Sequence, residues 1–366
     1  GNWTANFGAS QIAGGQYTAP ITATTTDAAG NSRTVTGSVE VDTEVRNLGV
    51  SVDNVTTDNV INGAERDDGV TFSGTTEAGS TSVVVTIDGV SRNATVNSAG
   101  SWSVTFPKND LPDAEDTYQL QVAVTDRAGN TATASRDVEF DTFVNALSGG
   151  AVQEGSNTIF NASEIRDGIT VSGQVEAGST VTVDFGGATY NATVDANGNW
   201  TLDLPASAFS AEEYSADLVV NARDAAGNVD SLTQTIEIDA ALPDTPEIFA
   251  ETSVDDGYAA VWVQDSVDTQ AVYEVAQDNS VTLIADENGA ARVGGNNVFG
   301  FDEIVPDGSH LVVSATDAAG NVSSTFMALD DPGNSNIDMS SVNTGLAGLE
   351  IEAIDLTFAE DTNLTL

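Results

Sequence analysis

Short runs in which hydrophobic and polar residues alternate fill most of the chain. Val, Thr and aromatic residues dominate these runs, and Gly, Asn and Asp separate them at a spacing of about 10 residues. The clearest series is VTFSGTT (70–76), SVVVTIDG (82–89), RNATVN (92–97), SWSVTF (101–106), YQLQVAVT (118–125) and TATASRDVEF (131–140). This pattern predicts the strands of an antiparallel β-sandwich of the Ig-like size.

Several sequence features recur in one register. The D-x-A-G-N turns begin at Asp27, Asp126, Asp224 and Asp317, at intervals of 99, 98 and 93 residues. A Trp after a tight turn recurs at Trp3, Trp102 and Trp200, EAGST occurs at 77–81 and 176–180, and DNVINGAERDDG (58–69) matches NTIFNASEIRDG (157–168). A fixed period in several independent features indicates tandem domains.

The repeat predicts an all-β protein of tandem Ig-like antiparallel β-sandwiches in an elongated rod. We expect the following units: the C-terminal part of one domain (1–43), two complete domains (44–142 and 143–241), a divergent fourth domain (242–330), and a linker with the start of a further β module (331–366). The recurring Trp and Tyr residues are expected to fill the cores. Both chain ends are expected to continue in a longer protein.

The charge balance restricts the partners. Lys and Arg number 10 and Asp and Glu 56, which gives a formal net charge of −46. Nucleic acid and anionic membranes are therefore poor partners, because their phosphates would be repelled. No apolar run is long enough to insert in a membrane, and the absence of Cys excludes disulfides and thiolate metal sites. Cations or high salt are needed to offset the self-repulsion.

Strand order predicts where the acidic motifs meet. Because successive strands alternate in direction, EAGST and the D-x-A-G-N turn lie at the pole that faces the preceding domain. The segment DNVINGAERDDG and the Asp that ends the last strand lie at the opposite pole, which faces the following domain. Each junction therefore collects carboxylates from two domains and from the linker between them.

Three sets of candidate metal ligands follow. The first junction offers Asp42, Glu77 and Asp126; the second offers Asp58, Glu65, Asp67, Asp141, Glu176 and Asp224; the third offers Glu164, Asp167, Asp239 and Asp317. Ca²⁺ suits such sets because it takes 6–8 oxygen ligands in flexible geometry, whereas Zn²⁺ favours nitrogen and sulfur ligands. A competing interpretation is that the turn Asp residues only bond their own backbone.

Enzymatic motifs are not supported, and we expect a non-enzymatic protein. DANGNW (195–200) begins like an EF-hand loop, but Trp200 stands where Gly is needed, so a hairpin turn is predicted. The single His, His310, has no nucleophile at a recognisable spacing and is expected at the surface. Lys108 is the only Lys, which excludes a Lys–Asn crosslink in every domain.

The D-x-A-G-N turn, the strand-ending VDT, I-N-x-A-E and EAGST together resemble the bacterial Ig-like repeats of giant RTX-type adhesins exported by type I secretion. The resemblance covers residues 1–241 well and 242–330 loosely. The tail GLEIEAIDLTFAEDTNLTL resembles the segment that precedes the calcium-binding nonapeptide repeats of such adhesins. Asn157, in place of an Asp, and Ala240, in place of the Thr after the linker Asp, depart from the pattern.

The resemblance implies a structural role on the bacterial cell surface, outside the cell. In such adhesins Ig-like domains act as extenders, and Ca²⁺ at the junctions stiffens the rod that projects ligand-binding domains for adhesion and biofilm formation. The implied partners are calcium ions and the neighbouring Ig-like domains, while host-cell or biofilm ligands would bind other regions.

Two other functions remain open from the sequence. The fourth domain could itself bind a glycan or peptide through Tyr258, Trp262 and Tyr273, although core packing of these aromatic residues is the favoured interpretation. The chain could also be an accessory region of a secreted hydrolase, which only flanking sequence would reveal.

Overall fold

The computed structural model describes residues 2–51, 56, 58–152, 158–254, 257–329 and 346–359, together with the backbone of 336–338 and 363–365. These residues form predominantly antiparallel β-sheets in series, as the alternating pattern predicts. Asn157 and most of the Gly/Asn/Ser-rich stretch 332–345 lie outside the described residues.

The first unit is a long hairpin. Strand β1 (Gln16–Thr26) pairs antiparallel with β2 (Ser32–Asp42) around the first D-x-A-G-N turn. A single 3₁₀ turn, Ala9–Gln11, precedes it. Trp3 is 68% exposed, because within the described part of this unit no second sheet faces the hairpin. The expectation that the recurring Trp fills a core is therefore wrong for this copy.

The second unit is a complete sandwich. Its elements are β3 (Gly49–Val50), β4 (Val60–Ile61), α1 (Gly63–Asp68), β5 (Val70–Thr75), β6 (Ser82–Ile87), β7 (Val90–Asn93), β8 (Thr95–Val96), β9 (Ser101–Phe106), β10 (Glu115–Thr125) and β11 (Thr131–Asp141). One sheet has the order β4-β11-β10-β6-β7 and the other β3-β5-β9-β8. Five of the six predicted strand runs agree with observed strands closely, and the run 92–97 is divided between β7 and β8.

The third unit repeats this arrangement. Its elements are β12 (Ser148–Ala151), β13 (Ile159–Asn161), α2 (Ala162–Arg166), β14 (Ile169–Gln174), β15 (Thr180–Phe185), β16 (Ala188–Asn191), β17 (Thr193–Val194), β18 (Asn199–Leu204), β19 (Glu213–Arg223) and β20 (Val229–Asp239). The sheet orders are β13-β20-β19-β15-β16 and β12-β14-β18-β17. In both units a short strand pairs in parallel with the last strand and leads into the helix.

The cores lie between the two sheets of each sandwich. Trp102 is 1% exposed and Trp200 is fully buried, so the predicted core role is confirmed for these two copies. Each buried indole N–H needs an acceptor, and Trp102 Nε1 donates to the carbonyl of Gly49 at 3.2 Å while Trp200 Nε1 donates to that of Ser148 at 3.0 Å. The indoles thereby tie the first strand of each unit to the core.

The fourth unit also has two sheets, with a different connection. Its elements are β21 (Ile248–Val254), β22 (Gly257–Gln264), β23 (Thr269–Val275), β24 (Val281–Asp286), β25 (Ala291–Val293), β26 (Asn296–Pro306), β27 (His310–Thr316) and β28 (Val322–Met327); β29 (Asn336–Asp338), β30 (Ile351–Asp355) and β31 (Asn363–Thr365) follow. The sheet orders are β21-β22-β26-β25 and β24-β23-β27-β28-β30, and β29 pairs with β31.

The tail strand β30 belongs to the sheet of the fourth unit. It pairs in parallel with β28. The carbonyls of Glu350 and Asp355 accept from Ser324 N at 3.0 Å and from Ala328 N at 2.9 Å. Ile351 and Ile354 pack against a buried cluster that includes Phe326. We expected the tail to start a further module, whereas residues 346–359 complete this sheet in the position that β4 and β13 take in theirs.

The two short helices stand at the C-terminal poles of their units. Asn62 and Asn161 cap them, and Glu65 and Glu164 close the reciprocal bond of a capping box. In the described residues neither helix has the length and hydrophobicity needed to cross a membrane.

Candidate cation sites at the domain junctions

Two groups of three carboxylates form where consecutive units meet. Asp42, Glu77 and Asp126 form the first triad, and Asp141, Glu176 and Asp224 form the second triad. Within each triad one oxygen of every carboxylate lies within 4.8 Å of the others. The linker Asp ends the last strand of one unit, and the Glu and the turn Asp belong to the next. The alternation of strand direction thus brings together three of the residues predicted at each of these junctions.

The turn Asp is held by its own turn. Asp224 Oδ1 accepts from the backbone N–H groups of Gly227 at 2.7 Å and Asn228 at 2.8 Å, and Asp224 Oδ2 accepts from Asn228 Nδ2 at 2.7 Å. Gly227 has φ +98°, a conformation that favours glycine. Asp126 has the same partners in its turn, and both Asp side chains are buried.

Two further turns of this type lie away from the triads. Asp27 and Asp195 each accept from two backbone N–H groups and from the side chain of the turn Asn, and both are exposed. The hairpin predicted for DANGNW, between β17 and β18, is confirmed. Backbone bonding therefore explains why an Asp opens every such turn, and position in the chain decides whether that Asp faces other carboxylates.

The Glu of EAGST points at the linker. Glu77 Oε2 accepts from the backbone N–H of Arg46, and Glu176 Oε2 accepts from that of Asn145, both at 3.2 Å. Each Glu therefore binds the segment that joins the two units. One oxygen of each Glu lies within 4.8 Å of an oxygen of the linker Asp, which places a carboxylate from the next unit beside the end of the last strand.

A residue opposite the linker Asp distinguishes the two triads, and sequence reasoning missed it. Gln16 pairs with Asp42 and Glu115 with Asp141, each 26 positions earlier in the chain. Gln16 Nε2 donates to Glu77 Oε1 at 2.8 Å and to Asp42 Oδ2 at 3.2 Å. Glu115 instead adds a fourth carboxylate to the second junction, where Asn145 Nδ2 donates to it. The residue opposite the linker Asp could have been found in the sequence, because it precedes that Asp by 26 positions in both units.

Burial and electrostatic repulsion raise the pKa values of two acids of the second triad. Burial, followed by the charges of Asp224 and Glu176, raises the pKa of Asp141 to about 6. Burial also raises the pKa of Glu176, with the Glu115 and Asp224 charges adding to the effect. Two unit charges about 4.8 Å apart repel by roughly 3.5 kcal/mol at a surface-like dielectric. A cation between these carboxylates would remove that repulsion.

In the first triad, hydrogen bonds lower the pKa of the turn Asp. Burial opposes ionisation of Asp126, but donation from the side chain and backbone of Asn130 and from Gly129 outweighs it and lowers the pKa. The same donors lower the pKa of the exposed Asp27 and Asp195. The turn thus presents an ionised carboxylate, which is the form that ligates a metal.

The third junction has a smaller set of carboxylates. Burial, with the charges of Asp317, Glu213 and Asp268, raises the pKa of Asp239. Asp317 is held by Gly320 and Asn321 as in the other turns. Among the described residues, only the first two junctions form a group of three that could hold a metal. Asp268, which precedes β23, is a neighbour that sequence reasoning also missed.

The acids before and within the helices lie outside the triads. Glu65 and Glu164 accept from the backbone of the capping Asn, at 3.1 Å and 2.9 Å. Asp58 accepts from Val60 N at 3.1 Å, and Asp67 forms an ion pair with Lys108 at 2.7 Å. Asp167 is an exposed C-cap of α2. Capping and ion pairing account for the side-chain directions of three of these five acids and the local bond from Val60 N for that of Asp58, and the structure brings none of the five into a triad.

The Asn of the turn connects all parts of a junction. Asn228, 8% exposed, donates through Nδ2 to Asp224 Oδ2 and to the carbonyl and carboxylate of Asp141 at 2.9 Å and 3.0 Å. Its Oδ1 accepts from Gly63 N, in the helix of the preceding unit, at 2.7 Å. At the third junction Asn321 donates to Asp317 Oδ2 and to the carbonyl of Asp239, and its Oδ1 accepts from Ala162 N. This role was missed, although the Asn is part of the repeated motif.

The other candidate residues have structural positions. His310 is half-buried rather than at the surface: its Nδ1 accepts from Leu329 N at 3.2 Å and its ring packs against Phe326. Tyr258 is 6% exposed in the core, and Tyr273 packs against the buried cluster beneath β30. Trp262 is half-buried and donates to Thr252 Oγ1 at 3.3 Å. These three aromatic residues therefore do not form an exposed platform for a ligand.

Sequence comparison identifies the family. The sequence profile of the bacterial Ig-like domain matches residues 49–142 and 155–240. A single bacterial immunoglobulin-like domain from the ice-binding adhesin of M. primoryensis is 36% identical over 94% of its length and 26% of this chain, with a TM-score of 0.19. The chain belongs to the bacterial Ig-like domain family. A search of curated proteins found no match.

Two longer solved structures are similar to most of the chain. One is described as a Ca²⁺-stabilized adhesin that helps an Antarctic bacterium reach out and bind ice; it is 29% identical, over 84% of this chain and 79% of that one, with a TM-score of 0.40. The other comes from a 1.5-MDa bacterial ice-binding adhesin and is 28% identical, over 76% of this chain and 95% of that one, with a TM-score of 0.40.

Proposed function

We propose that this chain is a structural extender of a bacterial surface adhesin in which Ca²⁺ at the junctions between Ig-like domains stiffens the rod. The observation that carries this proposal is the pair of triads, each built from a linker Asp, a Glu of the next unit and a turn Asp of the next unit. Because each triad joins two units, a cation bound there would couple their orientations.

The donor set suits Ca²⁺. Each triad offers three carboxylates within 4.8 Å of one another, and Ca²⁺ prefers hard oxygen ligands in a flexible geometry that carbonyls and water can complete. Binding would occur only in the folded junction, so it would also raise the stability of the native arrangement. In the proposed set, Asp42, Glu77 and Asp126 hold one ion and Asp141, Glu176 and Asp224 hold another.

The weaker members of the predicted sets have a lesser place in the proposal. Asp239 and Asp317 would form a partial site at the third junction. Glu65, Glu164 and Asp67 could reach an ion only if their present caps and ion pair were exchanged, and Asp58 and Asp167 also lie outside the triads. The third junction is therefore proposed to depend less on Ca²⁺ than the second.

Family membership supports the adhesin part of the proposal. The domain that is 36% identical comes from an ice-binding adhesin, and that description is the adhesin's own. For this chain we propose a location outside the cell, on the bacterial surface, and no enzymatic activity. Its direct partners would be Ca²⁺ and neighbouring Ig-like domains, while the ligands recognised in adhesion and biofilm formation would bind other regions.

The test compares ion binding and shape in solution. Calorimetric titration of the chain with Ca²⁺ and small-angle scattering with Ca²⁺ or with chelator would be measured on the unsubstituted chain and on Asp224→Asn. We expect Ca²⁺ to lengthen the rod, and Asp224→Asn to lose the binding event at the second junction. Identical scattering profiles in Ca²⁺ and in chelator would refute the stiffening role.

Asp195→Asn is the matched control. Asp195 accepts the same kinds of bonds in the same kind of turn but lies away from the triads. We expect this variant to bind as many Ca²⁺ ions as the unsubstituted chain. If it lost binding as Asp224→Asn does, the loss would come from disturbed turns, and the assignment of Asp224 as a ligand would be wrong.

A further inference from the structure

An uncharged contact joins the second and third units beside the second triad. Asn62, the cap of α1, donates through Nδ2 to the carbonyl of Ala226 at 3.0 Å, and Gly63 N donates to Asn228 Oδ1 at 2.7 Å. Both acceptors lie in the D-x-A-G-N turn of the next unit. We call this pair of hydrogen bonds the Asn clasp of the second junction.

The same clasp recurs at the third junction. Asn161, the cap of α2, donates through Nδ2 to the carbonyl of Ala319 at 3.2 Å, and Ala162 N donates to Asn321 Oδ1 at 2.7 Å. The acceptor residues are buried, with Ala319 1% and Asn321 3% exposed. The clasp is therefore retained where the set of carboxylates is smaller.

The helix that carries the clasp is fixed in its own unit. Arg66, in α1, forms ion pairs with Asp113 at 3.4 Å and with Asp67 at 3.5 Å, and Asp67 also pairs with Lys108. The capping box uses Asn62 Oδ1 and leaves Nδ2 directed at the next unit. One Asn side chain thus ends a helix in one unit and binds the turn of another.

We infer that Asn62 and Asn161 are positioning residues whose clasp orients consecutive domains without a cation. Its donors and acceptors are amide groups, so neither hydrogen bond of the clasp has a charged partner. Each bond is partly buried, and leaving a buried donor or acceptor unpaired is costly. Cation binding at the triad then acts on domains that the clasp already aligns.

The residue after the cap differs between the two junctions. A Cβ added at Gly63 would lie 2.5 Å from the carbonyl oxygen of Thr142 in the linker and 3.2 Å from Asn228 Oδ1. The helix of the second junction therefore needs glycine to reach the linker. Ala162 occupies the equivalent position at the third junction, where the same two hydrogen bonds form with a methyl group present.

The experiment measures the distance across the second junction in the full chain. Because the sequence has no Cys, spin labels can be attached at Ser135→Cys and Thr233→Cys, two exposed positions on the last strands of the second and third units. Electron paramagnetic resonance would give the distance distribution in chelator. Asn62→Ser keeps an N-cap acceptor but removes the amide donor to Ala226.

We expect Asn62→Ser to broaden the distribution in chelator relative to the unsubstituted chain. Asn161→Ser, the same change at the third junction, is the matched control and should leave the distribution unchanged. Gly63→Ala tests the clasp in a second way, because the added methyl group displaces the helix without altering the cap, and it should also broaden the distribution. Unchanged widths for Asn62→Ser and Gly63→Ala would overturn the inference.

The outcome is separable from that of the calcium proposal. Asn62→Ser alters no carboxylate of the triad, so calorimetry should find the same number of bound Ca²⁺ ions as in the unsubstituted chain. A chain that bound no Ca²⁺ would refute the proposed function, while the measurement in chelator would still decide whether the clasp orients the domains.

Discussion

At the residue scale, the turn Asp combines a local and a long-range role. Asp126, Asp195 and Asp224 all accept bonds from the backbone and from the turn Asn, which accounts for their presence in any such hairpin. Only Asp126 and Asp224 also face a linker Asp and a Glu. The local bonds orient the carboxylate, and the position of the turn supplies the neighbours.

The first prediction concerns the pH dependence of Asp141. Its pKa is raised from 3.8 to about 6 by burial and then by neighbouring carboxylates. The folded chain therefore holds a proton between about pH 4 and 6 that the unfolded chain releases, so this contribution to stability is present below pH 4 and is lost as the pH rises through 6. In chelator, Asp141→Asn should be more stable than the unsubstituted chain above pH 6.

Thermal unfolding at pH values between 4 and 7.5 would check this. The difference in melting temperature between Asp141→Asn and the unsubstituted chain should shrink toward pH 4. In saturating Ca²⁺ the order should reverse, because the variant lacks a ligand. A difference that stayed constant with pH would show that Asp141 does not titrate in this range.

The second prediction concerns the residue opposite the linker Asp. Glu115→Gln would give the second junction the amide that Gln16 provides at the first, and should raise the melting temperature in chelator by removing a repulsive charge. Gln16→Glu, the reciprocal change, should lower it, because it adds a carboxylate and removes two hydrogen bonds. If Glu115→Gln and Gln16→Glu changed the melting temperature in the same direction, the electrostatic explanation would be contradicted.

At the element scale, short parallel strands complete the sheets. β4 and β13 come from the N-terminal half of their units and lie beside the last strand. β30 takes the equivalent place in the fourth unit but comes from the C-terminal tail. One sheet position is thus filled by chain segments from opposite ends of a unit, because the unpaired edge of the last strand accepts either.

The third prediction follows from the packing of β30. Ile354 packs against the cluster that contains Phe326, so Ile354→Ala should destabilise the fourth unit, by about 1–2 kcal/mol because the side chain is only partly buried. Hydrogen exchange at the amide of Ala328, which donates to Asp355 O, would report the effect. Glu352→Ala, at an exposed position of the same strand, should leave this exchange rate unchanged.

At the scale of the whole molecule, the net charge of −46 acts on every junction. Monovalent salt screens such charges over a Debye length of about 10 Å at 0.1 M, but it does not bridge carboxylates. Ca²⁺ bound in a triad would both neutralise and connect two units. Charge screening and ion ligation are therefore expected to differ in their effect on shape.

The fourth prediction separates these two effects. In chelator, added NaCl should raise the melting temperature by screening repulsion, yet it should not give the extended scattering profile expected with Ca²⁺. Once Ca²⁺ is saturating, NaCl at the same ionic strength should change the profile little. If NaCl alone reproduced the Ca²⁺ profile, screening would be sufficient and ligation at the triads would be unnecessary.

The sequence determined the fold and the three carboxylates of each triad. Alternation of polar and apolar residues located the strands, as the agreement of SWSVTF (101–106) with β9 shows, because burial of one sheet face imposes that period. The repeat register and the alternation of strand direction then placed Asp42 with Glu77 and Asp126, and Asp141 with Glu176 and Asp224. These inferences need only chain connectivity and the two-residue period of a strand.

Only the tertiary structure decided which other side chains reach the junctions. The directions of Glu65 and Glu164 depend on capping boxes, and the contribution of Glu115 depends on the pairing of β10 with β11. The Asn clasp joins residues more than 150 positions apart through one amide group. Such contacts depend on atomic distances across a junction, which no local pattern of residues encodes.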